Sequence, residues 1–325
     1  MTEPGITAVA LAVLFSVAPL GQIAYADQPA ATPRIGVLDP SGSATWAEGF
    51  GERLRLAGYR EGNNLVVEWR RPAETEKELR SAASDLIRSR VGLVVTLGTP
   101  ATRAALQGAS LPVVFLVGDP VAAGFAASLA KPGGNATGVS VVSPDLSVKR
   151  LELLHQLAPK ARRIGHLVSL SNPAVPRVLP GLRAAARTLG VEIETIDASD
   201  SRGLDVVLHA LPQRPPEALL VSPIAFYLAR GAAITQAVRR SRIPAVYPYR
   251  EFLTDGGLAS YGPDLKLIGS LMALYVDKIL KGANPGELPV EQVSTYQLVI
   301  NLRAARELGI NVPQEILFRA DEVIR

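Results

Sequence analysis

Four apolar, strand-like runs in this chain each end on a small polar residue followed directly by proline. They are Thr99-Pro100 after Val94–Leu97, Asp119-Pro120 after Val113–Val117, Asn172-Pro173 after Ile164–Leu170 and Ser222-Pro223 after Ala218–Val221. Thr, Asp, Asn and Ser are favoured N-caps, and proline suits the first helical position because its missing N–H would be unpaired there anyway. Each junction therefore predicts a strand passing straight into a helix. In a parallel α/β sheet such junctions lie at the carboxyl edge, where ligands bind and free helix N–H groups attract anions. Two junctions fall in each half of the chain, which predicts two similar lobes whose ligand edges face each other.

The periodicity between the junctions agrees. Arg34–Leu38 reads as a strand, and Trp46, Phe50 and Leu54 recur at helical spacing between a Ser43 cap and a stop at Gly58. Strand Leu65–Trp69, helix Thr75–Ser89, strand Val91–Leu97, helix Pro100–Leu106 and strand Val113–Val117 follow, and Thr137–Val142 closes the series. A second alternation runs from Ile164 to Tyr247. Strict alternation implies parallel sheets with right-handed crossovers. The tail adds strand Leu258–Tyr261, a helix bearing Ile268, Met272, Tyr275 and Ile279, strand Glu291–Ile300 and a helix ending at Gly309. A chain that completes two lobes and then adds strands weaves back between them. The expected fold is α/β: two Rossmann-like lobes joined by hinge strands, the first built from 34–142 plus about 258–285, the second from 143–257 plus about 286–325.

With 325 residues, 48% hydrophobic and 20% charged, the chain can bury two cores. The net charge of +4 is scattered, and no basic block with interleaved aromatics marks a nucleic-acid surface. Ile6–Leu20 is apolar but short for a membrane span, and Ala24-Tyr25-Ala26 follows as a small-x-small cleavage site. The reading is an export signal over residues 1–26 and a linker over 27–33. Glu3 stands where a basic residue is usual, so an uncleaved anchor or a different start is the competing reading. There is no cysteine, hence no disulfide and no lipid-modified thiol at the signal junction.

Enzymatic chemistry finds little support. There is no G-x-S-x-G elbow, no phosphate-binding glycine loop, and the three histidines His155, His166 and His209 have no metal spacing. All three read as structural or surface residues, and no metal or cofactor is expected. What remains is polar and aromatic groups at strand ends. The Thr99 hydroxyl and the N–H groups of Ala101 and Thr102 suit a carboxylate, and Asp119 suits an ammonium; both side chains equally suit simple helix capping. Asn172 and Ser222 occupy the same position in the second half, and Ser222 also reads as a plain helix start. Tyr247-Pro248-Tyr249-Arg250 follows the last regular strand of that half, where Tyr247 or Tyr249 would stack on a ligand and Arg250 would pair with it. The alternative is buried aromatics beside a surface ion pair. Tyr261 either lines the cleft or braces the hinge.

An ordered set of motifs carries a family resemblance. It includes Gly98-Thr99-Pro100-Ala101, Gly118-Asp119-Pro120-Val121, Lys131-Pro132-Gly133-Gly134-Asn135-Ala136-Thr137-Gly138, Lys149-Arg150-Leu151-Glu152-Leu153-Leu154, Tyr249-Arg250-Glu251-Phe252 and Ser260-Tyr261-Gly262-Pro263. The chain resembles the bacterial ABC-transporter substrate-binding proteins, the group that includes tryptophan- and tyrosine-binding members. That resemblance implies a periplasmic binding protein of type I-like fold that closes over a small solute and docks on an inner-membrane permease; the site residues above suit an amino acid or related carboxylate, and a monomer is expected. The same fold also serves sensors that signal to a membrane receptor. Where the family often repeats Asn-Pro after the first strand of the second lobe, Ser169-Leu170 replaces the first pair, and specificity is expected to differ there.

Overall fold

The computed structural model describes Met1 and residues 32–72, 75–108, 110–141 and 144–325. The expected export signal lies outside the described residues, as does most of its linker. No helix among the described residues is long and apolar enough to cross a membrane.

The first lobe runs β1 (Arg34–Leu38), α1 (Ala44–Leu56), β2 (Val66–Arg70), α2 (Glu76–Arg88), β3 (Leu93–Leu97), α3 (Thr99–Gly108), β4 (Val113–Val117) and β5 (Ala136–Ser140). Ser43 caps α1 by accepting from the Trp46 N–H, and Thr75 and Glu78 form a capping box at the start of α2. β3, β4 and β5 are buried at every position, and β4, Val113–Val117, is accordingly a continuous apolar run rather than an alternation. Leu79, Leu86, Ala101 and Phe115 build the core on the α2/α3 side of the sheet.

The second lobe runs α4 (Pro144–Leu157), β6 (Arg163–Val168), α5 (Val175–Leu189), β7 (Glu192–Asp197), α6 (Ser201–Ala210), β8 (Ala218–Val221), α7 (Ala225–Ala229), α8 (Gly231–Ser241), β9 (Ala245–Tyr247), α9 (Glu251–Thr254) and β10 (Ala259–Gly262). Leu151, Leu154, Leu182 and Leu220 form its α4/α5 core. The tail adds α10 (Leu265–Leu280), a 3-10 turn at Pro285–Glu287, β11 (Glu291–Gln292), β12 (Gln297–Asn301), α11 (Leu302–Glu307), α12 (Gln314–Arg319) and β13 (Glu322–Ile324).

The strand order is β11-β5-β4-β3-β1-β2 in the first sheet and β13-β12-β10-β9-β8-β6-β7 in the second. Pairing is parallel except between β10 and β12. The chain therefore changes lobe after β5, after β10 and after β11, and this corrects the expected boundaries. β10, expected in the first lobe, pairs with β9 through Ala259–Val246 and Ser260–Tyr247. The expected single strand Glu291–Ile300 is two: Glu291 and Gln292 pair with β5, and Gln297–Asn301 pairs with β10. A β-rich run cannot disclose that it switches sheets halfway. α10 returns to α1 at backbone contact, since a Cβ on Gly269 would sit 2.2 Å from the Trp46 carbonyl oxygen and one on Gly49 2.0 Å from that of Lys266.

All four polar-proline junctions lie at carboxyl ends, those of β3, β4, β6 and β8, but only Thr99-Pro100 enters a helix directly. After Asp119-Pro120 the chain makes a turn that ends at Gly124, whose φ of +75° glycine adopts without strain. After Asn172 and Ser222 the helices begin only at Val175 and Ala225.

Candidate functional site

The carboxyl ends of β3 and β4 meet those of β6 and β8 across a cleft of about 610 Å³. Most of its wall is apolar, with Leu79, Leu97, Leu116, Val141, Val175 and Phe226 among its residues. Polar residues come from both lobes, Ser43, Thr99 and Arg103 among those of the first and Arg150, His166 and Asn172 among those of the second.

Arg150 is the most consequential. It sits on α4 between Leu146 and Leu154, one helical turn away on either side and both buried, so the helix places a guanidinium on its own apolar stripe. The residue is 3% exposed, and its Nε–H donates to the Tyr261 carbonyl at 2.7 Å. Burial drives its pKa down from 12.5 to about 10, and the groups that favour its charge are Tyr249, Tyr261 and Tyr296, with no carboxylate among them. A guanidinium carries five N–H donors. Only the Nε–H is met by a hydrogen bond among the described residues.

His166 on β6 also lines the wall, and its Nε2 lies 2.8 Å from the Ser222 hydroxyl. Burial first and the Arg150 charge second lower its pKa to about 4, so the imidazole is neutral near pH 7. Its Nδ1 has no partner among the described residues. Tyr249 faces the same space, and burial raises its pKa to about 12, leaving a neutral phenol. Beyond β6, the Ser169 and Ser171 hydroxyls are 2.9 Å apart, and Ser199 donates to Asp197 Oδ1 at 2.6 Å. The Leu170 N–H donates to the same oxygen at 2.9 Å, so Asp197 pins the loop that carries Ser169-Leu170. The acids on the wall are Glu76 and Asp200, both exposed. Glu76 pairs with Arg80 at 2.7 Å, and Asp200 caps α6 by accepting from Gly203. The buried part of the cleft thus holds an uncompensated positive charge amid neutral donors and apolar surface.

Of the residues expected at the site, Thr99, Asn172, Ser222 and Tyr249 line the cleft. Six do not. Ala101 is fully buried in the core beneath α3. The Thr102 N–H donates to the Gly98 carbonyl, and its hydroxyl bonds Thr96 at 2.8 Å and Gly98 at 3.0 Å, so neither group is available to an anion. Asp119 accepts from the Val121 and Ala122 N–H groups through Oδ1, and its Oδ2 forms an ion pair with Arg177 of α5 in the opposite lobe. It therefore ties the lobes together and is not a free partner for an ammonium. Tyr247 is stacked on Phe252 at 5.0 Å inside the second-lobe core. Arg250 points away and is held bidentately by Glu322, both bonds 2.7 Å. Tyr261 packs on Tyr296 at 6.1 Å and contributes through its carbonyl, which holds Arg150.

Arg150 and His166 escaped the expectation. For Arg150 a signal exists: positions 146, 150 and 154 share one helix face, and a charge interrupts two leucines. His166 stands among buried neighbours in β6, and nothing in the strand's pattern tells which of its faces meets the cleft.

Comparison with known proteins fits this geometry. The profile of the family described as ABC transporter substrate binding protein matches residues 36–324. A tyrosine-binding protein of Clostridioides difficile (strain R20291) is 26% identical over 263 residues, which is 78% of this chain and 73% of that protein. A Streptococcus pneumonia structure described as an ABC domain in complex with L-Trp is 26% identical, with a TM-score of 0.82 over 90% of this chain and 100% of that one. A conserved domain protein from Vibrio cholerae is 25% identical, also with a TM-score of 0.82, over 90% and 99%. The chain belongs to the ABC transporter substrate binding protein family, with the type I periplasmic binding fold, and its family binds solutes rather than catalysing a reaction.

Proposed function

We propose that this protein is the solute receptor of an ABC importer, carrying a small carboxylate-bearing solute with an apolar body through the periplasm to an inner-membrane permease. The observation that carries the reading is Arg150, a buried cation on the cleft wall with no carboxylate paired to it. A charge removed from water is costly unless it is paired. A ligand carboxylate supplies that pairing, and a planar guanidinium receives it through two parallel N–H donors. The Thr99 and Ser222 hydroxyls and Asn172, all on the wall, would orient the ligand, and the apolar wall would cover its body. Closure follows when the ligand binds the closed arrangement better than the open one. The expected export signal over residues 1–26, the linker after it and the family's role support the periplasmic address, the permease partner and a monomeric carrier.

The test is a thermal-shift and calorimetric screen of the purified protein against amino acids and apolar carboxylic acids. A ligand that binds only the folded state raises the melting temperature by mass action. A carboxylate is expected to do so, with the effect lost on methyl esterification. Failure of every carboxylate would reject the ligand class.

A further inference from the structure

We infer that the cleft selects a carboxylate unaccompanied by an ammonium group, so that an apolar carboxylic or 2-oxo acid binds in preference to the amino acid of the same skeleton. This rests on the reading above, with Arg150 as the carboxylate anchor, and narrows it. In an α-amino acid the ammonium is one carbon away from the carboxylate. Once the carboxylate is on Arg150, the ammonium lies in the same buried part of the cleft and needs a counter-charge there. Near Arg150 the wall offers the neutral imidazole of His166, hydroxyls, a phenol and hydrocarbon. Its described carboxylates, Glu76 and Asp200, are both exposed.

The two described acids on the wall, and Asp119 beside it, are otherwise engaged. Glu76 and Asp200 stand exposed, the first paired with Arg80, the second capping α6. Asp119 lies off the wall, bound to Arg177 and to two backbone N–H groups. Asp39 is next to the wall residues Pro40 and Ser41, but its side chain is inaccessible: Oδ1 accepts from the Ser41 N–H and hydroxyl and the Gly42 N–H, and Oδ2, which has no hydrogen-bond partner among the described residues, lies 4.0 Å from Arg71 Nε. A zwitterion would thus leave its positive end beside a guanidinium without a counter-charge, in surroundings where water does not screen the pair. An anion without the ammonium neutralises Arg150 and leaves only apolar surface to cover.

The deciding experiment is isothermal titration of the full chain with matched pairs that differ only at the α-carbon: phenylalanine against 3-phenylpropionate and phenylpyruvate, tryptophan against indole-3-propionate, and leucine against 4-methylpentanoate. The expected result is that the best ammonium-free acid binds at least tenfold tighter than its amino-acid partner, and that Arg150→Met abolishes the binding. Arg150→Gln serves as a second truncation, with circular dichroism confirming the fold of each variant. Amino acids that bind as tightly as their partners, or more tightly, would overturn the inference while leaving the carboxylate receptor standing. Absence of binding by every compound would overturn both.

Discussion

Replacing Arg150 by methionine separates the cost of the site from its use. Burial lowers the Arg150 pKa from 12.5 to about 10, which at about 1.4 kcal/mol per pH unit is a cost of about 3 kcal/mol borne by the folded, ligand-free protein near neutral pH. Its bond to the Tyr261 carbonyl returns about 1.5–3 kcal/mol, the range for a hydrogen bond to a charged group. Methionine keeps most of the apolar stem between Leu146 and Leu154 and removes both contributions. The ligand-free variant is therefore expected to lie between unchanged and about 2 kcal/mol more stable than the parent, while its ligand-induced stabilisation disappears. Urea unfolding followed by far-UV circular dichroism, with and without a bound acid, reads both quantities. Destabilisation of the free variant by more than about 2 kcal/mol would refute the reasoning, because Arg150 would then be a structural strut whose value exceeds that of one charged hydrogen bond.

Asp119→Asn removes the interlobe ion pair with Arg177, whose partners are 12% and 58% exposed; an exposed pair of this kind is worth about 0.2–1 kcal/mol, so affinity for the best ligand should fall by up to about fivefold through faster dissociation. Stopped-flow dissociation rates identical to the parent's would contradict the interlobe role. His166 has its folded pKa depressed from 6.5 to about 4 by burial, so the unfolded chain takes up the proton more readily and stability is lost as pH falls from about 6.5 towards 4, by about 3 kcal/mol. His166→Gln should flatten that part of the profile in urea titrations, and an unchanged slope would place the loss elsewhere. Gly98 has a φ of +92°, and a Cβ there would lie 3.2 Å from the Ala225 Cβ in the other lobe; Gly98→Ala should cost about 1–2 kcal/mol in stability and weaken ligand binding by obstructing approach of the lobes, an effect that calorimetry would miss if the contact were irrelevant to closure.

Much of the architecture was legible because strands buried on both faces write themselves as unbroken apolar runs, and helices as stripes. The sheet switch at 293–296 was not legible, since β propensity is blind to which neighbour a strand joins. At the site, the polar-proline junctions pointed to the correct edge, and Thr99, Asn172, Ser222 and Tyr249 line the cleft there. Asp119 shows why the same signal misleads: a capping carboxylate looks alike in sequence whether its second oxygen is free or taken by an arginine 58 residues away. Tyr247 and Tyr249 stand two positions apart, yet one faces the second-lobe core and the other the cleft. Strand alternation does not separate them, because the chain has left the strand after Tyr247.

The late return of the chain to its first sheet has a consequence for how the molecule is made. Trp46 and Met272 are in contact although 226 positions separate them, and β11 covers the outer edge of β5 only after residue 290 has been synthesised. Contacts of such long range slow folding, because the loop they close must be ordered before they repay it. Until the last quarter emerges, the first lobe lacks one of its covering helices and one of its strands. A chain with that topology cannot complete its first lobe until most of it has been synthesised.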